Sequence, residues 1–208
     1  TEFEDPKPGR WLATCIQVVD LGTQQDSFKG KITHKRVVRL GFELLDHDPM
    51  ADGRPFTVYR RYTASLGKKA NLRRDLESWR GKPFTDKELE GFDVDVLLGK
   101  SCELVLAKSQ TDRVNITNII PLKKGTRLKK PVNTMIFVNS SYEMPMISFN
   151  LDEFDEKVFA ALSEKTRITI MDSAEYKLMA ANEGAQEDPP EHSSEEEPTD
   201  PENDDMPF

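Results

Sequence analysis

The stretch "RPFTVYRRYTASLGKKANLRRDLESWRG" (residues 54–81) changes its period partway along. "FTVYRRYTASL" (56–66) is aromatic and β-branched and reads as a strand. Side chains on a strand alternate between faces. Phe56, Val58, Arg60 and Tyr62 therefore share one face, and Thr57, Tyr59, Arg61 and Thr63 share the other. "KKANLRRDLESWRG" (68–81) then places Leu72, Leu76 and Trp79 at i, i+4 and i+7, one face of a helix. Gly81 and Pro83 stop that helix in the usual order.

The flanking segments complete the pattern. "RWLATCIQVVDLGTQ" (10–24) reads as a first strand, bent near its middle, and "QQDSFKGK" (24–31) as a loop turned by Gly30. "THKRVVRLGFELLDHD" (33–48) is a second strand, with Val37, Leu40, Phe42 and Leu44 as apolar residues, and "DPMADGRP" (48–55) is turn chemistry. "FTDKELEGFDVDVLLGK" (84–100) opens with Thr85 and Glu88 in capping-box spacing and predicts a short helix, then a turn before Leu97. "SCELVLAKS" (101–109) and "RVNITNIIPL" (113–122) are two more strands with a tight connection. Three strands, a helix and two strands is the order of the five-stranded OB-fold barrel, whose helix lies between strands 3 and 4. The fold expectation is thus mainly β, an OB barrel over 10–122. An open α+β sandwich of the same elements is the alternative.

Residues 1–9, with two prolines and a glycine, read as an N-terminal arm. After the barrel, 123–179 reads as a C-terminal extension. "MIFVNSSYEMPMISF" (135–149) is apolar enough to pack back. Asn150 and Glu153 fit a capping box for an amphipathic helix near 151–163, on which Phe154, Val158 and Leu162 share a face. "TRITIMDSAEYKLM" (166–179) predicts another short helix. Residues 180–208 hold 11 Asp and Glu and no Lys or Arg. Such a segment has too little apolar surface to offset its ordering entropy and is expected to be disordered.

The net charge of −8 is uneven: residues 1–150 hold 25 Lys and Arg against 19 Asp and Glu, and 151–208 hold 4 against 18. That asymmetry suggests a basic working surface and an acidic tail. Cys15 and Cys102, both in apolar runs, read as buried free thiols in a reducing compartment. The charged start and the lack of a long apolar run predict no signal peptide, no membrane partner and a cytoplasmic setting.

A search for catalytic chemistry returns little, and the expectation is no enzyme, no cofactor and no metal. His34 sits beside Lys35 and Arg36, where a neutral imidazole ligand is disfavoured; His192 lies in the tail. "DHDPMADG" (46–53) lacks the spacing of a calcium loop. What stands out is basic charge interleaved with aromatics on strands. "KGKITHKRVVR" (29–39) carries Lys29, Lys31, Lys35, Arg36 and Arg39. "RPFTVYRRY" (54–62) carries Arg54, Arg60 and Arg61 with Phe56, Tyr59 and Tyr62. Cations release counterions from phosphates, and exposed rings stack on bases. In OB barrels the second and third strands form the binding face. Alternation allows only one of Tyr59 and Tyr62 into the groove. Trp11 is a further candidate, whereas Trp79 reads as core. Lys68, Lys69, Arg73 and Arg74 at the helix start serve equally as phosphate contacts or as a solvated face.

"YTASLGKKANLRRDLESWRGKPFTDKELEGFDVDVLLGKSCELVL" (62–106) resembles a segment of phage replication-module proteins that bind single-stranded DNA through an OB barrel. The resemblance covers mainly 57–121 and implies the fold and single-stranded DNA as partner. Separately, Asp204, Asp205, Met206, Pro207 and Phe208 resemble the acidic tip of bacterial single-stranded DNA-binding proteins. That resemblance implies docking on host or phage replication and repair proteins, with the apolar residues as a ligand on a tether. The oligomeric state is left open, a homodimer being one option. Competing expectations are a protein-interaction module acting as a decoy for host repair factors, and a single-strand annealing or RNA-binding protein.

Overall fold

The computed structural model describes residues 4–28, 30–132 and 146–184. The fold is mainly β. Strands β1 (Gly9–Phe28), β2 (Lys31–Leu44), β3 (Thr57–Thr63), β4 (Ser101–Lys108) and β5 (Val114–Ile120) form an antiparallel sheet in the order β3-β2-β1-β4-β5. A short β6 (Ile147–Phe149) joins it in parallel against Gln17–Val19 of β1.

β1 serves two partners because it bends. Its register against β2 shifts between Cys15 and Gln17 and again between Asp20 and Thr23. Such bulges kink a strand and raise its twist. The first shift also resets the alternation, so that Ala13, Cys15 and Val18 all reach the core. The expected loop over 24–31 is instead ladder: β1 and β2 stay paired out to Phe28 and Lys31, and Gly30 turns the chain at φ +77°. The backbone hydrogen bonds of this ribbon need no apolar pattern, which is why the side chains did not announce it.

Helix α1 (Asn71–Arg80) buries Leu72, Leu76 and Trp79, the face its spacing predicts. Trp79 Nε1 donates to the Ser101 carbonyl at 3.0 Å, and Ser78 Oγ to that of Ile119 at 2.6 Å. Gly81 caps it in the left-handed region at φ 68°. Helix α2 (Asp86–Glu90) has the expected capping box of Thr85 and Glu88, and a 3-10 turn (Val94–Leu97) follows. One core cluster takes in Val58 and Tyr62 of β3 together with Ile116 and Ile119 of β5. Arg60 Nη1 also donates to the Ile116 carbonyl at 2.8 Å, so the two edge strands of the sheet touch.

The extension builds a second core on β1, from Val19, Leu21, Phe149, Leu151, Leu162 and Ile170. Its helices are α3 (Glu156–Ala161), α4 (Glu164–Met171) and α5 (Ala174–Gly184). The helix expected near 151–163 starts later and is shorter. Asp155, not Asn150, is its cap, accepting from the amides of Lys157 (2.8 Å) and Val158 (3.1 Å), while Asn150 closes a local turn on the Asp152 amide. The single short helix expected over 166–179 is instead two, α4 and α5, separated at Asp172 and Ser173, and α5 runs past Met179 into residues expected to be disordered. Most of the 135–149 segment and the tail beyond 184 lie outside the described residues. Among the described residues no helix is long and apolar enough to cross a membrane. Cys15 and Cys102 are free and buried in the main core.

Candidate nucleic-acid interface

On the face of β1–β3 turned away from the main core, the ladder sets Gln17 beside Gly41 and Gly41 opposite Tyr59, with Arg39 opposite Arg61 in the next row. Tyr59 is 48% exposed. Its ring lies across Gly41, where a Cβ would come within 2.8 Å of Cε1. A glycine inside a strand commonly marks such an approach. The Arg39 guanidinium stands 4.8 Å from the centre of the Tyr59 ring, within cation–π range.

Arg39 has only neutral acceptors. Nη1 donates to Thr166 Oγ1 at 2.7 Å, Nη2 reaches Gln17 Oε1 at 3.4 Å, and the buried Nε has no acceptor. Burial pulls its pKa below the usual guanidinium range; Tyr59 opposes this and Arg61 adds to it. Desolvation likewise raises the Tyr59 hydroxyl, with Arg39 opposing. Arg61 is exposed. Among the described residues neither Arg39 nor Arg61 is in an ion pair. Both stand in the row on one side of Tyr59, and the row on its other side holds the buried carboxylate Glu43 opposite Thr57.

Of the two tyrosines, Tyr59 faces outward and Tyr62 inward, as alternation requires. Tyr62 is 3% exposed and its hydroxyl donates to Asp75 Oδ2 at 3.0 Å. Arg60 shares that inner side and pairs with Asp75 at 3.1 Å. Asp75 is 2% exposed and also takes Arg74 Nε at 3.1 Å, so Arg60 and Tyr62 serve the fold. Arg36 is tied to Asp20 and Asp152, and these carboxylates raise its pKa. Arg54 is bound to Asp52 in its own turn. Trp11 is half-buried; its Nε1 donates to the Lys7 carbonyl at 2.9 Å and its ring packs 4.3 Å from that of His47. Trp11 is thus less open than Tyr59, which is 48% exposed. Lys31 and Lys35 are exposed on the ribbon; Lys29 lies outside the described residues, as do Asp204, Asp205, Met206, Pro207 and Phe208. At α1, Arg73 is held by Glu77 and Arg74 by Asp75, leaving Lys68 and Lys69 exposed.

The structure adds Gln17, Gly41 and Thr166 to the constellation. Gly41 had a legible signal, a lone glycine inside "RLGFEL". Thr166 had none, being 127 residues from Arg39. Among the described residues no group of His, Cys, Asp and Glu could hold a metal ion. Comparison of the chain with protein-family models, with curated proteins and with solved structures finds no match.

Proposed function

We propose that this chain binds single-stranded DNA on the outer face of β2 and β3, beside the extension that covers β1, as a coating protein of a phage replication or recombination system. The observation that carries the reading is the exposed Tyr59 ring with the Arg39 guanidinium over it and Arg61 opposite Arg39 in the adjoining row, neither arginine paired with a carboxylate among the described residues. A ring of this kind stacks on a base, and the cations draw in phosphates. Lys31 and Lys35 on the ribbon extend the basic track along β2. We further propose that the sheet closes into an OB barrel. The strand order, α1 between β3 and β4, and the hydrogen bond from Arg60 to Ile116 across the two edges support closure. The acidic segment with "DDMPF" (204–208) is proposed to dock on a replication or repair enzyme, on the strength of its sequence alone.

The test is a fluorescence titration with oligo-dT, oligo-rU and duplex DNA over a salt series. The expected result is tightest binding to oligo-dT, weakening steeply with salt. Equal affinity for duplex, or no binding at low salt, would overturn the reading. Preference for oligo-rU would redirect it to RNA.

A further inference from the structure

We propose that the C-terminal extension is part of the binding site: Thr166 of α4 positions Arg39 for a phosphodiester backbone, so that docking of the extension and binding of the strand are coupled. This rests on the single-stranded DNA reading above. Thr166 is 1% exposed, and its oxygen accepts from Arg39 Nη1 at 2.7 Å. The same hydroxyl lies 2.7 Å from Ser163 Oγ, to which it can pass its own hydrogen. A relay from Arg39 through Thr166 to Ser163 thus fixes the guanidinium from the α4 side. Gln17 holds it only loosely from the sheet, at 3.4 Å.

The rest of the seam differs in kind. Arg36 is closed by Asp20 and Asp152. Glu175 takes the Thr23 amide at 2.7 Å and its hydroxyl at 2.6 Å, and Gln24 donates to the Thr169 carbonyl at 2.9 Å. Those contacts hold the extension to the sheet together with its apolar core. Arg39 brings a full charge to the seam from the sheet side without an anion among the described residues, and it stands beside the exposed Tyr59 ring; on the other side Arg167 of α4 likewise has a buried Nε with no acceptor among the described residues. A cation aligned by neutral acceptors keeps its charge for an outside anion. Because Thr166 aligns it only while α4 is seated, strand binding must favour docking as much as docking favours binding.

Two variants of the full chain test this. Thr166→Val removes the acceptor at nearly constant size, and Thr166→Ser keeps it. The expected result is a several-fold loss of oligo-dT affinity for Thr166→Val, with the slope of log K against log salt reduced by about 0.7, the increment for one phosphate contact on a single strand. Thr166→Ser restores both. A second readout needs no variant: in the wild type, oligo-dT should raise hydrogen-exchange protection of α4 and α5 amides. If Thr166→Val lowers only thermal stability and keeps affinity and slope, or if protection of α4 and α5 does not change on binding, the coupling is refuted. If wild-type protein does not bind oligo-dT at all, the parent reading falls instead.

Discussion

Tyr59 lies directly across the β2–β3 ladder from Gly41, and its ring occupies the space that a side chain at Gly41 would need, with a Cβ coming 2.8 Å from Cε1 and 3.0 Å from Cδ1. One residue type therefore sets the pose of the ring that the account makes central. Gly41→Ala should swing the ring off the strand. The new Cβ would also come 3.0 Å from Gln17 Cβ, which is fixed to the β1 backbone, so the variant should lose some thermal stability as well. Oligo-dT affinity should fall by part of a stacking increment, itself roughly 1–3 kcal/mol. Paired melting and titration curves check this; wild-type affinity in a folded variant would show that the ring's pose is irrelevant.

The two tyrosines of β3 should separate binding from stability. Tyr59→Ala should weaken oligo-dT binding by roughly 1–3 kcal/mol and barely move the melting temperature. Tyr62→Phe removes a hydrogen bond to the buried Asp75 carboxylate. It should cost stability by about 1.5–3 kcal/mol, the range for a bond to a charged group, and leave binding intact. Denaturant unfolding beside DNA titration of both variants reads the contrast.

Asp75 collects Tyr62, Arg60 and Arg74 on one carboxylate. Asp75→Ala strands Arg60 beside the core, where its side chain is 20% exposed. Loss of one partner of such a pair should destabilise by about 3 kcal/mol, the low end for buried pairs since Arg60 keeps some solvent and its bond to Ile116. An unchanged unfolding midpoint would contradict this.

Burial pushes the Cys15 thiol from an ordinary 9.0 up to about 12, with a hydrogen bond toward the Gln17 carbonyl opposing weakly. The folded state thus favours the protonated thiol. Its contribution is fully present below about pH 9 and is lost as the pH rises from 9 towards 12. Both cysteines should resist alkylation at pH 8 until the protein unfolds. Rapid labelling of native protein at pH 8 would show that the core opens.

Legibility followed local chemistry. The strand–helix switch at 56–81, the capping box at Thr85 and the bend in β1 were readable because period, cap residues and apolar spacing lie within a few positions of one another. The tip of the ribbon, read as a loop over 24–31, was not, because its backbone ladder continues there without an alternating apolar face. At the site, alternation sorted Tyr59 from Tyr62 only as a choice; the buried Asp75 decided it. Charge counting placed Arg36, Arg54 and Arg60 among the binding residues because sequence cannot show which carboxylates lie beside them. Asp20 and Asp152 stand 16 and 116 positions from Arg36. Trp11 was read as a further candidate, and its contact with His47, from a turn distant in sequence, was not legible.

The most direct measurement is ultraviolet cross-linking of the full chain to oligo-dT, with the adduct mapped by mass spectrometry. The account predicts that the main adduct falls on Tyr59, disappears in Tyr59→Ala protein and weakens sharply when salt releases the strand. Adducts confined to Trp11, to the α1 region or to the extension, with Tyr59 unmodified at saturating DNA, would contradict it.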